Sequence, residues 1–240
     1  MKCLAVFVFL LLPFVLSAQH DRQSLLQPTR GVYNLKGMVQ QITAVQKYEV
    51  GNDVNFQETF FFDRTGKLLE YRKRGFGGET VTQYPLTLDV VSDGRQYNFD
   101  YDGDIVELLQ YDKLGRLVSS THYIYALGGN LAQTVMYTYS ADSGIVKERT
   151  VSNYDRYERL ASVEKYSADE LLLMTEKYKY DRKGNLVRRV QTFYSDDDMT
   201  VTTEKRVYTY DSHGNWTLCR YSQNGTPLYS IERIIEYYSE

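Results

Sequence analysis

The stretch Tyr111–Leu117, which reads Tyr-Asp-Lys-Leu-Gly-Arg-Leu, contains the pattern that decides the fold of this chain. The pattern is an aromatic residue, Asp or Ser, two free positions, Gly, one free position and an apolar residue. Stretches that keep most of this repeat motif are Phe62–Leu68, Phe99–Ile105, Tyr125–Leu131, Tyr180–Leu186 and Tyr210–Trp216. Because short internal repeats are typical of stacked structural units, the motif predicts a repeat architecture.

Each copy of the repeat motif has the chemistry of a hairpin turn. The carboxylate of Asp112 can accept a hydrogen bond from the backbone two residues on, and Gly115 can adopt a positive φ without steric cost. Together they suit a type I turn closed by a glycine bulge. The aromatic and apolar residues that flank the turn can face each other across the two strands. We therefore interpret each copy as a turn between antiparallel strands.

The segments between the turns have the length and the alternation of strands. From Phe99 to Tyr221 the opening aromatic residues recur every 11 to 16 residues, which leaves room for a strand of roughly 30 Å. Within Glu176–Tyr180 two tyrosines alternate with lysines, as a half-buried strand requires. The tail, Leu228–Tyr238, alternates again and is predicted to be the closing strand. Its residues predicted to share one side are Ile231, Arg233, Ile235 and Tyr237.

These patterns predict an all-β fold, an antiparallel β-meander of about thirteen strands built from hairpin repeats. Open, twisted sheets of more than about ten strands tend to curl or split. We therefore expect the sheet to curl into a half-shell, solenoid or barrel-like roll. The composition agrees with a sheet, since 23 tyrosines accompany a single tryptophan.

The beginning of the chain differs in kind from the rest. Lys2 precedes an apolar run from Leu4 to Leu16, and the small residues Ser17 and Ala18 follow it. The run is too short to span a bilayer comfortably, so we interpret it as a cleaved secretory signal. The predicted organisation is a signal peptide at residues 1–18, an N-terminal tether at residues 19–34 and a single repeat domain at residues 35–240.

The charge pattern argues against two classes of partner. The chain has 28 Lys and Arg against 31 Asp and Glu, without a basic run, so it lacks the electrostatic footprint of a nucleic-acid-binding protein. A membrane-embedded β-barrel is disfavoured because Arg188 and Arg189 put arginine on both faces of one strand. We therefore predict a chain that neither binds nucleic acid nor spans a membrane.

The repeat motif resembles the signature of the RHS/YD-repeat family, Tyr-Asp-x-x-Gly-Arg-Leu. Tyr111–Leu117 matches it throughout, Tyr180–Leu186 and Tyr210–Trp216 are close variants, and the likeness covers roughly residues 60–226. The resemblance implies β-rich strips that can wind into shells, although this chain is too short for a closed shell. It also implies an exported protein of the periplasm or cell surface of a Gram-negative bacterium. The family motif is structural, so the resemblance transfers no catalytic residues.

Two groups of side chains are candidates for binding. Exposed rows of tyrosines can stack on sugar rings or dock on protein surfaces, while the alternative is that the rows form the buried face of the sheet. The candidate tyrosines are Tyr123, Tyr125, Tyr178, Tyr180, Tyr208 and Tyr210. Asp196, Asp197 and Asp198 are a candidate calcium site, weighed against an ordinary solvated turn.

The sequence contains no catalytic pattern such as His-Glu-x-x-His or Gly-x-Ser-x-Gly. We therefore predict a non-enzymatic scaffold or binding module of the bacterial cell envelope, with an envelope protein or a glycan as partner and no cofactor. The alternative is a carbohydrate-active or carbohydrate-binding protein that uses tyrosine rows and carboxylates on a concave face. Function is expected where the motif departs from its own pattern, at Glu158, Glu170 and the three aspartates.

Overall fold

The structure of the chain is a computed structural model. It describes residues 33–48, 56–75, 78–84, 94–195 and 198–239. The predicted signal peptide at residues 1–18 and most of the predicted tether, residues 19–32, lie outside the described residues. Within the described ranges, the chain forms no helical segment with the length and apolarity that a membrane crossing needs.

Within the described residues, fifteen antiparallel strands form one open sheet, which confirms the predicted all-β meander. The strands are β1 (Val39–Tyr48), β2 (Phe56–Phe62), β3 (Leu68–Gly75), β4 (Gly78–Gln83), β5 (Arg95–Phe99), β6 (Ile105–Tyr111), β7 (Leu117–Tyr125), β8 (Leu131–Tyr139), β9 (Val146–Tyr154), β10 (Leu160–Ser167), β11 (Leu172–Tyr180), β12 (Leu186–Tyr194), β13 (Met199–Tyr210), β14 (Trp216–Gln223) and β15 (Thr226–Tyr237). The sequence predicted about thirteen. β1 and β2 precede or begin the first copy of the repeat motif, so no motif separates them in the sequence.

The order of the strands in the sheet is β4-β3-β2-β1-β15-β14-β13-β12-β11-β10-β9-β8-β7-β6-β5. The first and the last strand of the chain are therefore neighbours in the interior of the sheet. The predicted closing strand is confirmed as β15, and it pairs with β1 on one side and β14 on the other. The two edges of the sheet are β4 and β5, which are consecutive in the chain.

This strand order requires the sheet to curl. A flat sheet of fifteen strands would be about 67 Å wide at a spacing of about 4.8 Å per strand. The chain from Gln83 to Arg95 joins the two edges and reaches about 42 Å when fully extended. Because the connection is shorter than the flat sheet is wide, the edges must approach each other, and one face becomes concave.

The turns have the predicted geometry. At Asp112, the carboxylate Oδ1 accepts hydrogen bonds from the backbone N–H groups of Leu114 at 2.8 Å and Arg116 at 2.9 Å. Gly115 has a φ of 75°, and a register shift beside Tyr111 shows the bulge. The Asp and Gly of the repeat motif therefore hold the turn.

The concave side of the sheet, here called the inner face, contains the core. Ile42 of β1 lies on this face opposite Phe60 of β2 and Ile235 of β15. The buried members of the core cluster are Leu35, Val39, Ile42, Ala44, Phe60, Phe62, Leu68, Trp216, Cys219 and Ile231. They come from β1, β2, β3, β14, β15 and the segment before β1, so the core lies where the two ends of the chain meet.

The packed chain begins before β1. The ring of Tyr33 lies 5.1 Å from the ring of Phe60, and the Asn34 Nδ2 donates to the Lys183 carbonyl oxygen at 2.7 Å. These two residues belong to the predicted tether, yet both contact the sheet. We call residues 33–38 the strap, because this segment crosses from one hairpin end to β1.

Candidate functional site on the inner face

The six candidate tyrosines all lie on the inner face and are half-buried. Five of their hydroxyls donate to other groups of the protein. The acceptors are the carbonyl oxygen of Ile105 for Tyr125, a carboxylate oxygen of Glu176 for Tyr178, the carbonyl oxygen of Leu160 for Tyr180, the carbonyl oxygen of Leu186 for Tyr208 and Asp181 Oδ2 for Tyr210. Four of these hydroxyls therefore join neighbouring strands or turns, whereas that of Tyr178 bonds within β11.

Tyr210 shows how a repeat motif contacts the neighbouring earlier turn at the same end of the sheet. Its hydroxyl donates to Asp181 Oδ2 at 2.5 Å and accepts from Asn185 Nδ2 at 2.9 Å, while Lys183 Nζ lies 3.6 Å from the ring centroid. All three partners belong to the preceding turn on that side. The motif therefore both forms a turn and bonds that turn to the neighbouring one.

The candidate calcium site is described only in part. Asp196 and Asp197 lie outside the described residues, and the Asp198 carboxylate Oδ1 accepts a hydrogen bond from the Met199 backbone at 2.7 Å. Across the part of the chain that the structure describes, no three His, Cys, Asp or Glu side chains are grouped as metal ligands.

A different set of polar side chains is buried in the core. Gln46, Glu58 and Arg233, here called the inner cluster, are 0%, 4% and 5% exposed. Arg233 of β15 and Glu58 of β2 both lie directly opposite Ala44 of β1, one on each side. Gln46 is the next residue of β1 on the same face. Three polar side chains therefore surround one small apolar residue.

Burial changes the charged members of the inner cluster. Burial raises the pKa of Glu58, although Tyr71 donates to its Oε1 at 2.7 Å and both Lys73 and Arg233 attract its negative charge. Burial lowers the pKa of Arg233 to about 9, and its guanidinium carbon lies 3.3 Å from the centroid of the Trp216 ring. Arg233 is therefore mostly protonated at neutral pH despite its surroundings.

Several atoms of the inner cluster have no hydrogen-bond partner among the described residues. They are both amide atoms of Gln46, Oε2 of Glu58 and Nε of Arg233. Leaving a buried donor or acceptor unpaired costs about 1–3 kcal/mol. Such groups need an explanation in a folded protein, and two donors beside two acceptors are what a polar ligand requires.

A second polar group on the inner face has most of its hydrogen bonds made. Arg189 donates to Glu176 Oε1 at 2.5 Å through Nη2 and to Glu204 Oε1 at 3.2 Å through Nη1. Gln191 Nε2 also donates to Glu176 Oε1, at 2.6 Å. This network joins β11, β12 and β13 and is mainly structural.

The repeat motif and the strand alternation did not predict the inner cluster. Gln46 and Glu58 precede the first repeat motif, and Arg233 was predicted only to share a side with apolar residues. A signal was nevertheless present, because Glu58 alternates with Phe56 and Phe60, and Arg233 alternates with isoleucines. A charge at a core position of a strand is costly and marks a functional or paired group.

No family model matches the chain, and no curated protein matches its sequence. Among solved structures, it is similar to a porin-like protein from Bacteroides uniformis ATCC 8492, with 12% sequence identity, a TM-score of 0.48 and coverage of 84% of this chain and 99% of that one. A porin-like protein from Bacteroides vulgatus ATCC 8482 is similar at 12% identity and a TM-score of 0.38, covering 86% and 100% of the two chains. A chain of the Photorhabdus luminescens Tc holotoxin pore matches 78% of this chain at 16% identity and a TM-score of 0.20, and this chain spans 13% of its length.

Proposed function

We propose that this chain is a short, exported repeat protein of the RHS/YD type that serves as a non-enzymatic binding module or scaffold in the bacterial cell envelope. The observation that carries the proposal is the inner face, a single concave surface on which buried polar atoms lack partners. The apolar run before Ser17 and the six copies of the repeat motif support export and the family. The ligand is an envelope protein or a glycan.

The proposal has separate tests for place and for binding. The full chain should be found in the periplasm or at the cell surface, and a chain that lacks residues 1–18 should stay in the cytoplasm. The exported protein should bind a glycan array or defined envelope proteins with a measurable dissociation constant. Retention of the full chain in the cytoplasm, or the absence of binding in both assays, would contradict the proposal.

A carbohydrate-active enzyme is the second candidate. It is favoured by two carboxylates on the inner face, Glu176 and Glu204, which both bind Arg189. Glycoside hydrolysis usually requires a pair of placed carboxylates. If the chain hydrolyses oligosaccharides and both Glu176→Gln and Glu204→Gln abolish turnover while the protein stays folded, the enzyme is correct and the non-enzymatic module is wrong.

A further inference from the structure

The inner cluster surrounds a small residue. Directly opposed Cα atoms of neighbouring strands lie about 5 Å apart, so Arg233 and Glu58 start about 10 Å from each other with only the methyl group of Ala44 between them. Gln46 begins about 7 Å further along β1 on the same face. The three polar side chains therefore start close together on one face of the sheet.

The strap covers the end of this region that lies nearest the beginning of β1. The ring of Tyr33 packs on Phe60 and Phe62, and its hydroxyl interacts electrostatically with Glu58. Leu35 belongs to the same core cluster as Ala44. The side chains of the strap therefore occupy the surface next to the inner cluster.

The strap is held less firmly than the strands. Asn215 forms two bonds with Lys36, accepting from its N–H at 2.7 Å and donating to its carbonyl oxygen at 2.8 Å, and Asn34 donates to Lys183. Among the described residues, the strap forms a backbone-to-backbone hydrogen bond at the end of the sheet, in which the Tyr238 N–H donates to the Met38 carbonyl oxygen at 2.9 Å. Elements with few ladder hydrogen bonds open first in native proteins.

With the strap in place, four buried donor and acceptor atoms of the inner cluster have no hydrogen-bond partner among the described residues. Each unpaired buried group costs about 1–3 kcal/mol, and a ligand that pairs with them recovers this free energy. The free donors are Gln46 Nε2 and Arg233 Nε, and the free acceptors are Gln46 Oε1 and Glu58 Oε2. A hydroxyl group both donates and accepts, so a polyhydroxylated ring satisfies this mixed set.

The charge and the surrounding rings indicate a neutral ligand. Glu58 and Arg233 attract each other across Ala44, so the buried charges balance and an ionic ligand would leave one in excess. Two aromatic residues contact the inner cluster: Arg233 stacks on the Trp216 ring at 3.3 Å, and the Tyr71 hydroxyl donates to Glu58. Aromatic rings beside polar groups are a common setting for sugar binding. Both features are typical of sites for sugars.

We propose that Gln46, Glu58 and Arg233 form a binding site for a sugar residue of a neutral glycan, and that the strap is its cover. This inference rests on the proposed function and names the location and ligand class of its binding site. Binding requires the strap to move aside beside Glu58, where Tyr33 lies, because the three side chains are at most 5% exposed with the strap in place.

The first test compares two glutamines of the inner face. In Gln46→Leu the unpaired amide is lost, whereas in Gln191→Leu the amide that donates to Glu176 at 2.6 Å is lost. The probes are glucose, galactose and N-acetylglucosamine, with glucuronate as the acidic comparison, and dissociation constants are measured by calorimetry. We expect Gln46→Leu to weaken binding of the best neutral sugar at least about tenfold without lowering the unfolding midpoint. Gln191→Leu should lower the midpoint and leave the dissociation constant within about threefold.

The second test concerns the strap. Asn34→Ala removes one anchor and should increase the apparent affinity for the same sugar about threefold to tenfold, because the open state becomes more populated. Asn98→Ala, which removes a hydrogen bond to Glu107 on the outer face, is the matched control and should leave the affinity unchanged.

The outcomes separate this inference from the proposed function. Unchanged sugar binding in Gln46→Leu would overturn the site and leave the binding module intact. Binding of glucuronate alone would overturn the neutral class. Binding of an envelope protein but of none of the sugars would mean that the inner cluster holds ordered water only, and this inference would be wrong while the module stands.

Discussion

At the residue scale, Glu158 and Glu170 occupy the turn position at which the repeat motif has glycine. Their φ values are 57° and 60°, so the backbone keeps the left-handed conformation that glycine adopts in the other copies. Such a conformation costs a non-glycine residue about 1–2 kcal/mol. Each glutamate has a compensating contact, since Glu158 Oε1 accepts from the Leu131 N–H at 2.8 Å and Glu170 pairs with Arg149.

Substitution of Glu158 separates the strain from the contact. Glu158→Ala loses the bond to Leu131 and keeps the strain, so we expect the free energy of unfolding to fall by about 1–2 kcal/mol. Glu158→Gly loses the same bond and relieves the strain, so it should be about 1 kcal/mol more stable than the alanine variant. Urea unfolding measures both. Equal stability of the two variants would show that the turn has no left-handed strain.

At the scale of the element, the sixth residue of two copies of the repeat motif donates to a tyrosine at the end of a later strand. Asn185 donates to Tyr210 at 2.9 Å, and Asn215 donates to Tyr237 at 2.8 Å. Asn215 makes two further bonds with the strap and is 2% exposed. The asparagine at this position therefore bonds to a later strand in both copies, and in the second copy it also bonds to the strap.

Alanine at these two positions should have unequal effects. Asn215→Ala leaves both backbone groups of Lys36 without their partner, so we expect a loss of about 2–3 kcal/mol, compared with about 1–2 kcal/mol for Asn185→Ala. Asn215→Ala should also increase hydrogen exchange of the strap amides, and Asn185→Ala should do so much less. If both variants lowered the free energy of unfolding equally, and the strap amides exchanged at the same rate in both, the strap would not depend on Asn215.

The elements were predictable from the sequence to the extent that the repeat motif marks them. Every hairpin from Phe62 onward that retains the motif was located, and the alternation placed Ile231 and Arg233 on one side of the closing strand, as the structure confirms. The inner cluster was not predicted. Its members meet only because β1 lies between β2 and β15, and this pairing joins residues about 190 positions apart, which local turn chemistry does not encode.

At the scale of the whole molecule, the pairing of the first strand with the last one determines the architecture. A simple meander would leave β1 and β15 at the two edges, whereas here the edges are β4 and β5. The short connection between these edges then forces the curl that makes one face concave. The sequence predicted the curl from the number of strands, while the position of β1 beside β15 in the interior of the open sheet follows from tertiary pairing.

The inner face also makes the molecule sensitive to alkaline pH. Burial, as the largest cause, raises the pKa of Tyr123 and Tyr180 to about 12. The other inner-face and core tyrosines whose pKa is raised mainly by burial are Tyr33, Tyr71, Tyr84, Tyr125, Tyr154, Tyr178, Tyr208, Tyr210, Tyr221 and Tyr237. Unfolded tyrosines ionise near pH 10, so above this pH the folded state binds more protons than the unfolded state.

The free energy of unfolding should therefore keep its full value below pH about 10 and fall steeply between pH about 10 and 12. Each tyrosine that ionises only on unfolding lowers it by about 1.4 kcal/mol per pH unit. Arg233 acts in the opposite direction, since its folded pKa of about 9 lies below the ordinary value, but it is one group against many tyrosines. Urea midpoints and tyrosinate absorbance, measured together across this range, should show that tyrosines ionise in one cooperative step with unfolding. Gradual ionisation of the folded chain near pH 10 would contradict a buried tyrosine face.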